Sequence, residues 1–214
     1  MKRLLDWLLD LLYPPRCPFC RRLLNEREKG VCRFCAVRYA GQGVRREIEH
    51  TAGCLAPLRY EGAVRDSLLR YKFRGVTAYG HVYAEFLAKY IDESHISCDS
   101  ITWMPLSRKR LRKRGYDQAR ILAEETARIL GLPCEALLRK TVNTRPQSGI
   151  RNAAMRRQNA KGVYACTVPE RVRGKRILLI DDIVTTGATL SECAKTLKKA
   201  GCAEVYAAAA ASRH

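Results

Sequence analysis

Asp181 and Asp182 stand side by side between an apolar run, Ile177-Leu-Leu-Ile180, and the string Thr185-Thr-Gly-Ala-Thr189. Paired carboxylates repel a phosphate but accept hydrogen bonds from sugar hydroxyls. A short apolar run with turn chemistry directly after it reads as a central parallel strand, Arg176–Ile180, buried on both faces. In open α/β sheets, ligands bind at the carboxyl ends of such strands. The Thr/Gly string leads into a helix, whose first backbone N–H groups can bind phosphate. Gly187 allows close backbone approach, and the threonine hydroxyls add donors. The segment thus offers diol acceptors beside a phosphate cradle, which matches a ribose 5-phosphate. A plain helix cap would account for one acidic or hydroxyl residue, not for the whole ordered string.

A second chemistry-bearing set lies near the N-terminus. Cys17-Pro-Phe-Cys20 and Cys32-Arg-Phe-Cys35 are two C-x-x-C pairs separated by eleven residues. Each pair can fold as a tight knuckle, and two knuckles close a tetrahedral zinc site of four thiolates. Such a site has no open position and is structural. A redox dithiol or plain core cysteines are the alternatives. The surrounding stretch is polar and basic with little apolar periodicity, so metal binding and folding should be coupled there. Phe19 and Phe34 occupy matching positions, suited to packing beneath the metal or to stacking on bases. Cys54, Cys98, Cys134, Cys166, Cys193 and Cys202 lack ligand spacing and read as small buried residues.

Charge is the third signal. The 214 residues carry 40 Lys/Arg and 21 Asp/Glu, a net +19. Between Pro105 and Arg176 there are 19 basic and 5 acidic residues, a local net of +14, and the densest run is Arg108-Lys-Arg-Leu-Arg-Lys-Arg114. This excess predicts attraction to polyanions: nucleic acid, anionic lipid or phosphorylated metabolites. A solvated surface face is the plain alternative. The ten cysteines without a secretory signal point to a reducing, cytoplasmic setting, where clustered Cys bind metal.

These residues need elements to hold them. Leu4, Leu5, Leu8, Leu11 and Leu12 recur at helical spacing, so residues 1–16 read as an amphipathic helix stopped by Pro14-Pro15. It is too short to span a bilayer; it could pack on its own domain, touch a membrane surface or dock a partner. Residues 17–54 form the zinc module. From Leu55 to residue 214, strands alternate with helices: strands at Leu55–Tyr60, Asp99–Met104, Gly162–Cys166, Arg176–Ile180 and Glu204–Ala210, and helices at Gly62–Phe73, Gly80–Ile91, Tyr116–Leu130 and Thr189–Ala200. That alternation predicts an α/β domain with a mostly parallel sheet flanked by helices.

The ordered string of four apolar residues, two acidic, two apolar and Thr-Thr-Gly resembles the phosphoribosyl-pyrophosphate (PRPP) motif of type I phosphoribosyltransferases. The resemblance implies that fold, ribose-hydroxyl and catalytic roles for Asp181 and Asp182, and a 5-phosphate site at Thr185, Thr186, Gly187, Ala188 and Thr189. Further motifs are similar to the competence protein F (ComF) family over essentially the whole chain. They are Tyr71-Lys-Phe-Arg-Gly75, Met104-Pro-Leu-Ser107, Arg114-Gly-Tyr-Asp-Gln-Ala119, Thr144-Arg-Pro-Gln-Ser-Gly149 and Arg156-Arg-Gln-Asn159, with the Cys pairs in front. Asp117 departs from the more usual Asn, and Met155 from an acidic residue. The resemblance implies a protein of natural transformation that handles single-stranded DNA beside a helicase-like translocase and DNA-protecting proteins. It also implies Mg²⁺ with PRPP.

Two readings of the basic residues follow. A basic groove with interleaved aromatics suits single strands, and Lys72, Arg74 and the 108–114 run are neighboured by Tyr71, Phe73 and Tyr116. The same groups, with Ser107, Arg108, Lys109, Arg110 and Arg114 foremost, could hold a pyrophosphate. Six basic residues in seven exceed what one pyrophosphate needs. The resulting expectation is a protein that binds PRPP or a related ligand and handles single-stranded DNA. The competing one is a transferase moving 5-phosphoribose to a base or amine, for which no base-binding hood is recognisable.

Overall fold

A computed structural model describes residues 14–141 and 162–213 of the chain. The N-terminal helix expected over residues 1–16 falls almost wholly outside the described residues, as do Thr144–Gly149, Met155 and Arg156–Asn159.

The centre is a parallel pair of long strands, β7 (Arg176–Val184) and β8 (Glu204–Ser212), in register from Arg176↔Glu204 to Val184↔Ser212. β4 (Ser100–Trp103) flanks β7 in parallel, and β2 (Cys54–Ala56) flanks β8 in parallel. β3 (Leu58–Arg59) also pairs with β8, and β1 (Val44–Arg46) adds an antiparallel edge to β2. The expected strand Leu55–Tyr60 is therefore two pieces. Pro57 sits between them, without an N–H for the ladder. β1 and Cys54 of β2 also draw part of the 17–54 stretch into the main sheet. A small hairpin-like pair, β5 (Leu138–Lys140) and β6 (Tyr164–Cys166), stands apart and is antiparallel.

Side chains on a strand alternate between faces, and the two cores follow that alternation. Leu178, Ile180, Ala208 and Ala210 pack under α2 (Gly62–Phe73), α3 (Tyr79–Glu93) and α5 (Gln118–Leu130). Ile177, Leu179, Ala207 and Ala209 pack under α7 (Ala188–Lys199) and the β5–β6 pair. α6 (Pro169–Val172) adds the fully buried Val172 to that side. β7 carries the ladder past Ile180 through both aspartates to Val184, so the acidic pair lies within the strand rather than beyond its end. The basic run is itself a helix, α4 (Arg108–Arg114). Ser107 caps its start, and Gly115 at φ 82° ends it.

The zinc module is welded to this domain. Its one helix, α1 (Arg33–Tyr39), shares a core with α2 and α3. Phe19 is buried, its ring centroid 4.6 Å from Tyr39, 6.3 Å from Tyr83 and 6.0 Å from Phe86. Arg70 of α2 donates to the Pro18 carbonyl at 2.6 Å. At Gly43 a Cβ would lie 2.3 Å from the Tyr90 ring, so any other residue would have to displace that ring for the chain to pass α3.

Candidate functional site

Four thiols form the first cluster. The Sγ atoms of Cys17, Cys20, Cys32 and Cys35 all lie within 4.8 Å of one another, and Cys20 and Cys32 approach to 3.6 Å. A tetrahedron with Zn–S bonds of about 2.3 Å has S···S edges of about 3.8 Å, so the cluster has the size a zinc ion requires. The knuckles are built as the spacing predicts. Arg21 N–H donates to the Cys17 carbonyl at 2.9 Å, with Arg21 in the left-handed region, and Cys35 N–H donates to Cys32 Sγ at 3.4 Å. Burial opposes ionisation of Cys32, but that N–H and the neighbouring thiols outweigh it and hold its pKa at about 7. With four cysteines and no further donor in the cluster, zinc here would organise the chain and leave no position for a substrate. The two matching phenylalanines part company: Phe19 packs into the core, whereas Phe34 is 76% exposed, with the Arg22 guanidinium 5.9 Å from its ring. Of the six other cysteines, Cys54, Cys98, Cys193 and Cys202 are buried and Cys134 and Cys166 half-buried.

The second site is a cleft of about 1380 Å³ over the carboxyl ends of β7, β4 and β8. Its floor is the acidic pair. Asp181 Oδ1 accepts from Asp182 N–H at 2.8 Å, and Asp182 Oδ1 accepts from Ile183 N–H at 3.0 Å. Asp182, only 3% exposed, pairs through Oδ2 with Lys72 Nζ at 2.5 Å. Burial and the neighbouring carboxylate push Asp181 well above the usual carboxylate range. Burial also acts against ionisation of Asp182, but the Lys72 ammonium overcomes it and keeps Asp182 below that range.

The Thr/Gly turn closes one end. Thr185 and Thr189 line the cleft, and Gly187 turns the chain at φ 73° into α7. A Cβ on Gly187 would meet Ile48 Cδ1 at 2.8 Å, so this glycine is required by both its dihedral and its neighbour. Thr186 Oγ1 accepts from Ala188 N–H at 3.4 Å, which shapes the turn. Arg46 of β1 donates to the Thr185 carbonyl at 2.5 Å and to Ser212 Oγ at 3.3 Å, tying the edge strand to the loop.

Basic groups supply the walls: Arg59, Arg65, Lys72, Arg110, Lys113, Arg114, Lys140 and Arg213 line the cleft against three acids, Glu61, Asp181 and Asp182. Burial, with Arg110 nearby, lowers Lys140 to about 8; its ammonium stands 5.3 Å from the Tyr164 ring centroid. Burial also lowers Arg110 from its ordinary value. Arg114 lies 5.1 Å over the ring of Phe73, which is 59% exposed, and donates to Gln118 Oε1.

Lys72, Arg110, Arg114, Asp181, Asp182, Thr185 and Thr189 thus share one cleft, while Thr186, Gly187 and Ala188 form the turn behind it. Ser107 is buried as the cap of α4, accepting from Arg110 N–H at 3.4 Å. Arg108 faces an adjoining recess with Trp103, Asp117 and Arg139, and Lys109 and Arg74 stand exposed without lining either. Tyr71 and Tyr116 serve the frame: the buried Tyr71 hydroxyl donates to the Gln118 carbonyl at 2.7 Å, and Tyr116 donates to the Tyr71 carbonyl. Asp117 caps α5, its Oδ1 accepting from Ala119 and Arg120 N–H and its Oδ2 from Leu106 N–H at 3.1 Å. Sequence reasoning missed Arg46, Arg59, Arg65, Lys140, Tyr164 and Arg213. Lys140 had one signal, its place in the +14 stretch. The others come from separated elements and share no local pattern.

Comparison with known proteins bears on the family and the fold. Residues 117–214 match the phosphoribosyl transferase domain family, and residues 8–43 match the double zinc ribbon domain family. The chain is 27% identical over 216 residues to competence protein F of Haemophilus influenzae, covering 89% of this chain and 93% of that protein. It is 30% identical over 195 residues to competence protein ComFC of Bacillus subtilis, covering 86% of this chain and 72% of that one. This chain belongs to the competence protein F/ComFC family. Within it, the type I phosphoribosyltransferase fold and the zinc ribbon form one chain with a shared core. Among solved structures, glutamine PRPP amidotransferase from B. subtilis, complexed with ADP and GMP, aligns with a TM-score of 0.45 and 22% identity. That alignment covers 65% of this chain and 30% of that one. Among the described residues, no helix is long and apolar enough to cross a membrane.

Proposed function

We propose that this ComF/ComFC-family protein binds PRPP or a related phosphoribosyl ligand in the cleft and handles single-stranded DNA along its basic rim during DNA uptake. The observation that carries the reading is the cleft's composition: an acidic floor for ribose hydroxyls and a Thr/Gly turn at a helix start, inside walls with eight basic side chains. Thr185–Thr189 would take the 5-phosphate, and Asp181 and Asp182 the ribose hydroxyls. At about 1380 Å³ the cleft exceeds the roughly 300–1,000 Å³ of common small-ligand pockets, so one phosphoribosyl group leaves room for more anion. On the rim, Phe73 is exposed beside Arg114, the arrangement a stacked base requires. The competence-named relatives support a DNA role, and the helicase-like translocase and DNA-protecting proteins implied by the family would be its partners.

A paired titration of PRPP and of a single-stranded oligonucleotide separates the two halves. Asp181→Asn/Asp182→Asn should lose PRPP binding and keep or gain DNA affinity, because negative charge is removed. Phe73→Ala should lose about 1–3 kcal/mol of DNA affinity and leave PRPP untouched. Unchanged PRPP affinity in the double asparagine variant would remove the ribose assignment. A DNA affinity that does not fall with salt would remove the polyanion assignment.

A further inference from the structure

Type I phosphoribosyltransferases, as the resemblance implies, take Mg²⁺ with the ligand. The acidic floor offers a cation little. Of its four carboxylate oxygens, Asp181 Oδ1 and Asp182 Oδ1 each accept a backbone N–H, at 2.8 and 3.0 Å. Asp182 Oδ2 is held by Lys72 Nζ at 2.5 Å. At most one carboxylate oxygen, on Asp181 beside the Asp182 carboxyl, is left for a ligand or a cation. Mg²⁺ demands near-octahedral oxygen ligation, commonly through one or two carboxylates and substrate phosphates; here it would have to settle beside the Lys72 ammonium.

The end of α2 that carries Lys72 is anchored. Tyr71, the residue before Lys72, is fully buried with its hydroxyl on the Gln118 carbonyl, and the Tyr116 hydroxyl holds the Tyr71 carbonyl. Gly75 N–H, just past the helix, donates to the same Tyr116 oxygen at 3.3 Å. Lys72 retains 25% side-chain exposure, and it lines the cleft. One positive charge therefore serves two neighbours, the buried carboxylate below and any anion above. Seven further Lys and Arg side chains line the same cleft and can share the ligand's negative charge.

Resting on the phosphoribosyl reading above, we propose that Lys72 is the site's own counter-cation, taking the place of a divalent ion, so that the ligand binds without Mg²⁺. Asp182 is then the positioning residue for Lys72, while Asp181 receives the ribose. Removing the ammonium should free Asp182 and create the cation dependence that the native cleft lacks.

The test is calorimetric titration of PRPP into the full chain, with millimolar Mg²⁺ or with EDTA, for the native protein, Lys72→Arg and Lys72→Gln. The native Kd should differ less than about threefold between the two buffers, and Lys72→Arg should follow it. Lys72→Gln should bind at least about tenfold more weakly in EDTA and recover affinity when Mg²⁺ is restored. Circular dichroism confirms that each variant is folded. If the native protein binds only with Mg²⁺, or Lys72→Gln binds in EDTA like the native chain, the counter-cation role is overturned while the ligand reading stands. If the native protein binds PRPP in neither buffer, the ligand reading fails and takes this inference with it.

Discussion

The zinc cluster and the cleft are built on opposite plans. The four thiols come from a stretch of nineteen residues, Cys17 to Cys35, and their geometry is made by two local knuckles. The cleft draws its lining from Val44 to Arg213, across strands, helices and loops that meet only in the folded sheet. In the cluster, every polar group faces its own neighbours and chemistry is finished once the metal binds. In the cleft, basic side chains outnumber acidic ones eight to three among the described residues, and that net charge is what a ligand would use. Local construction yields a staple; long-range construction yields a receptor. A thiolate cluster can be closed because its ligands need satisfy only each other. A site meant for a ligand has to stay open, so its charges must be held apart by elements that are rigid for other reasons.

Removing the staple should have the largest effect. Structural zinc contributes apparent binding energies of about 10–16 kcal/mol to the folding of zinc-finger peptides. Cys32→Ser, or chelation, should therefore unfold the module. The loss should spread to α2 and α3, because Phe19 and Tyr39 share their core. Zinc content by elemental analysis and the near-ultraviolet dichroism of the buried tyrosines measure both. A domain that melts normally without metal would break the claim that the two regions share one core.

The next effect is smaller and local. Gly187→Ala places a Cβ 2.8 Å from Ile48 at a left-handed dihedral. It should cost about 1–3 kcal/mol in denaturant unfolding and weaken PRPP binding. Adding Ile48→Ala should recover the part due to the clash and leave the part due to the dihedral. Full recovery would mean that backbone strain contributes nothing.

The smallest effect distinguishes the cleft's open charge from the cluster's closed one. Lys140 titrates at about 8, against an ordinary value of 10.5. It is cationic at neutral pH and loses its proton as pH rises through about 8, so polyanion affinity should fall a few-fold from about pH 7 to about pH 9. Folding stability should move the other way. Between about 8 and 10.5 the unfolded chain holds the Lys140 proton and the folded chain does not, so stability rises with pH in that window. Lys140→Gln should flatten both profiles, read by oligonucleotide binding and by denaturant titration.

Several elements were legible because their signals are local. Helix α2 runs from Gly62 to Phe73 and α5 ends at Gly131, as periodicity and capping residues predict. The four-thiol cluster follows from spacing alone. Strand β7 was legible only to Ile180. It continues to Val184 because β8 offers a partner as far as Ser212, and no residue within β7 records the length of its neighbour. The aromatics show the same limit. Tyr71, Phe73 and Tyr116 look equivalent beside basic residues, yet two brace α2 and Phe73 alone of the three is exposed. Which of them meets solvent depends on helix rotation against the 115–118 turn, a packing outcome rather than a composition.

By itself the sequence determined the type of each chemical group and its immediate neighbours: two thiol knuckles, a pair of carboxylates before a Thr/Gly turn, and an excess of positive charge. Those features are set by bonds and hydrogen bonds within a few residues, so spacing encodes them. Only the tertiary structure decided that Lys72 reaches Asp182 across 110 residues of chain, that Arg46 holds the loop from an edge strand, and that Arg110 and Arg114 face one cleft while Arg108 turns to an adjoining recess. Those relations depend on which helices cover which face of the sheet, and hydrophobic burial of the alternating β7 and β8 side chains selects that arrangement.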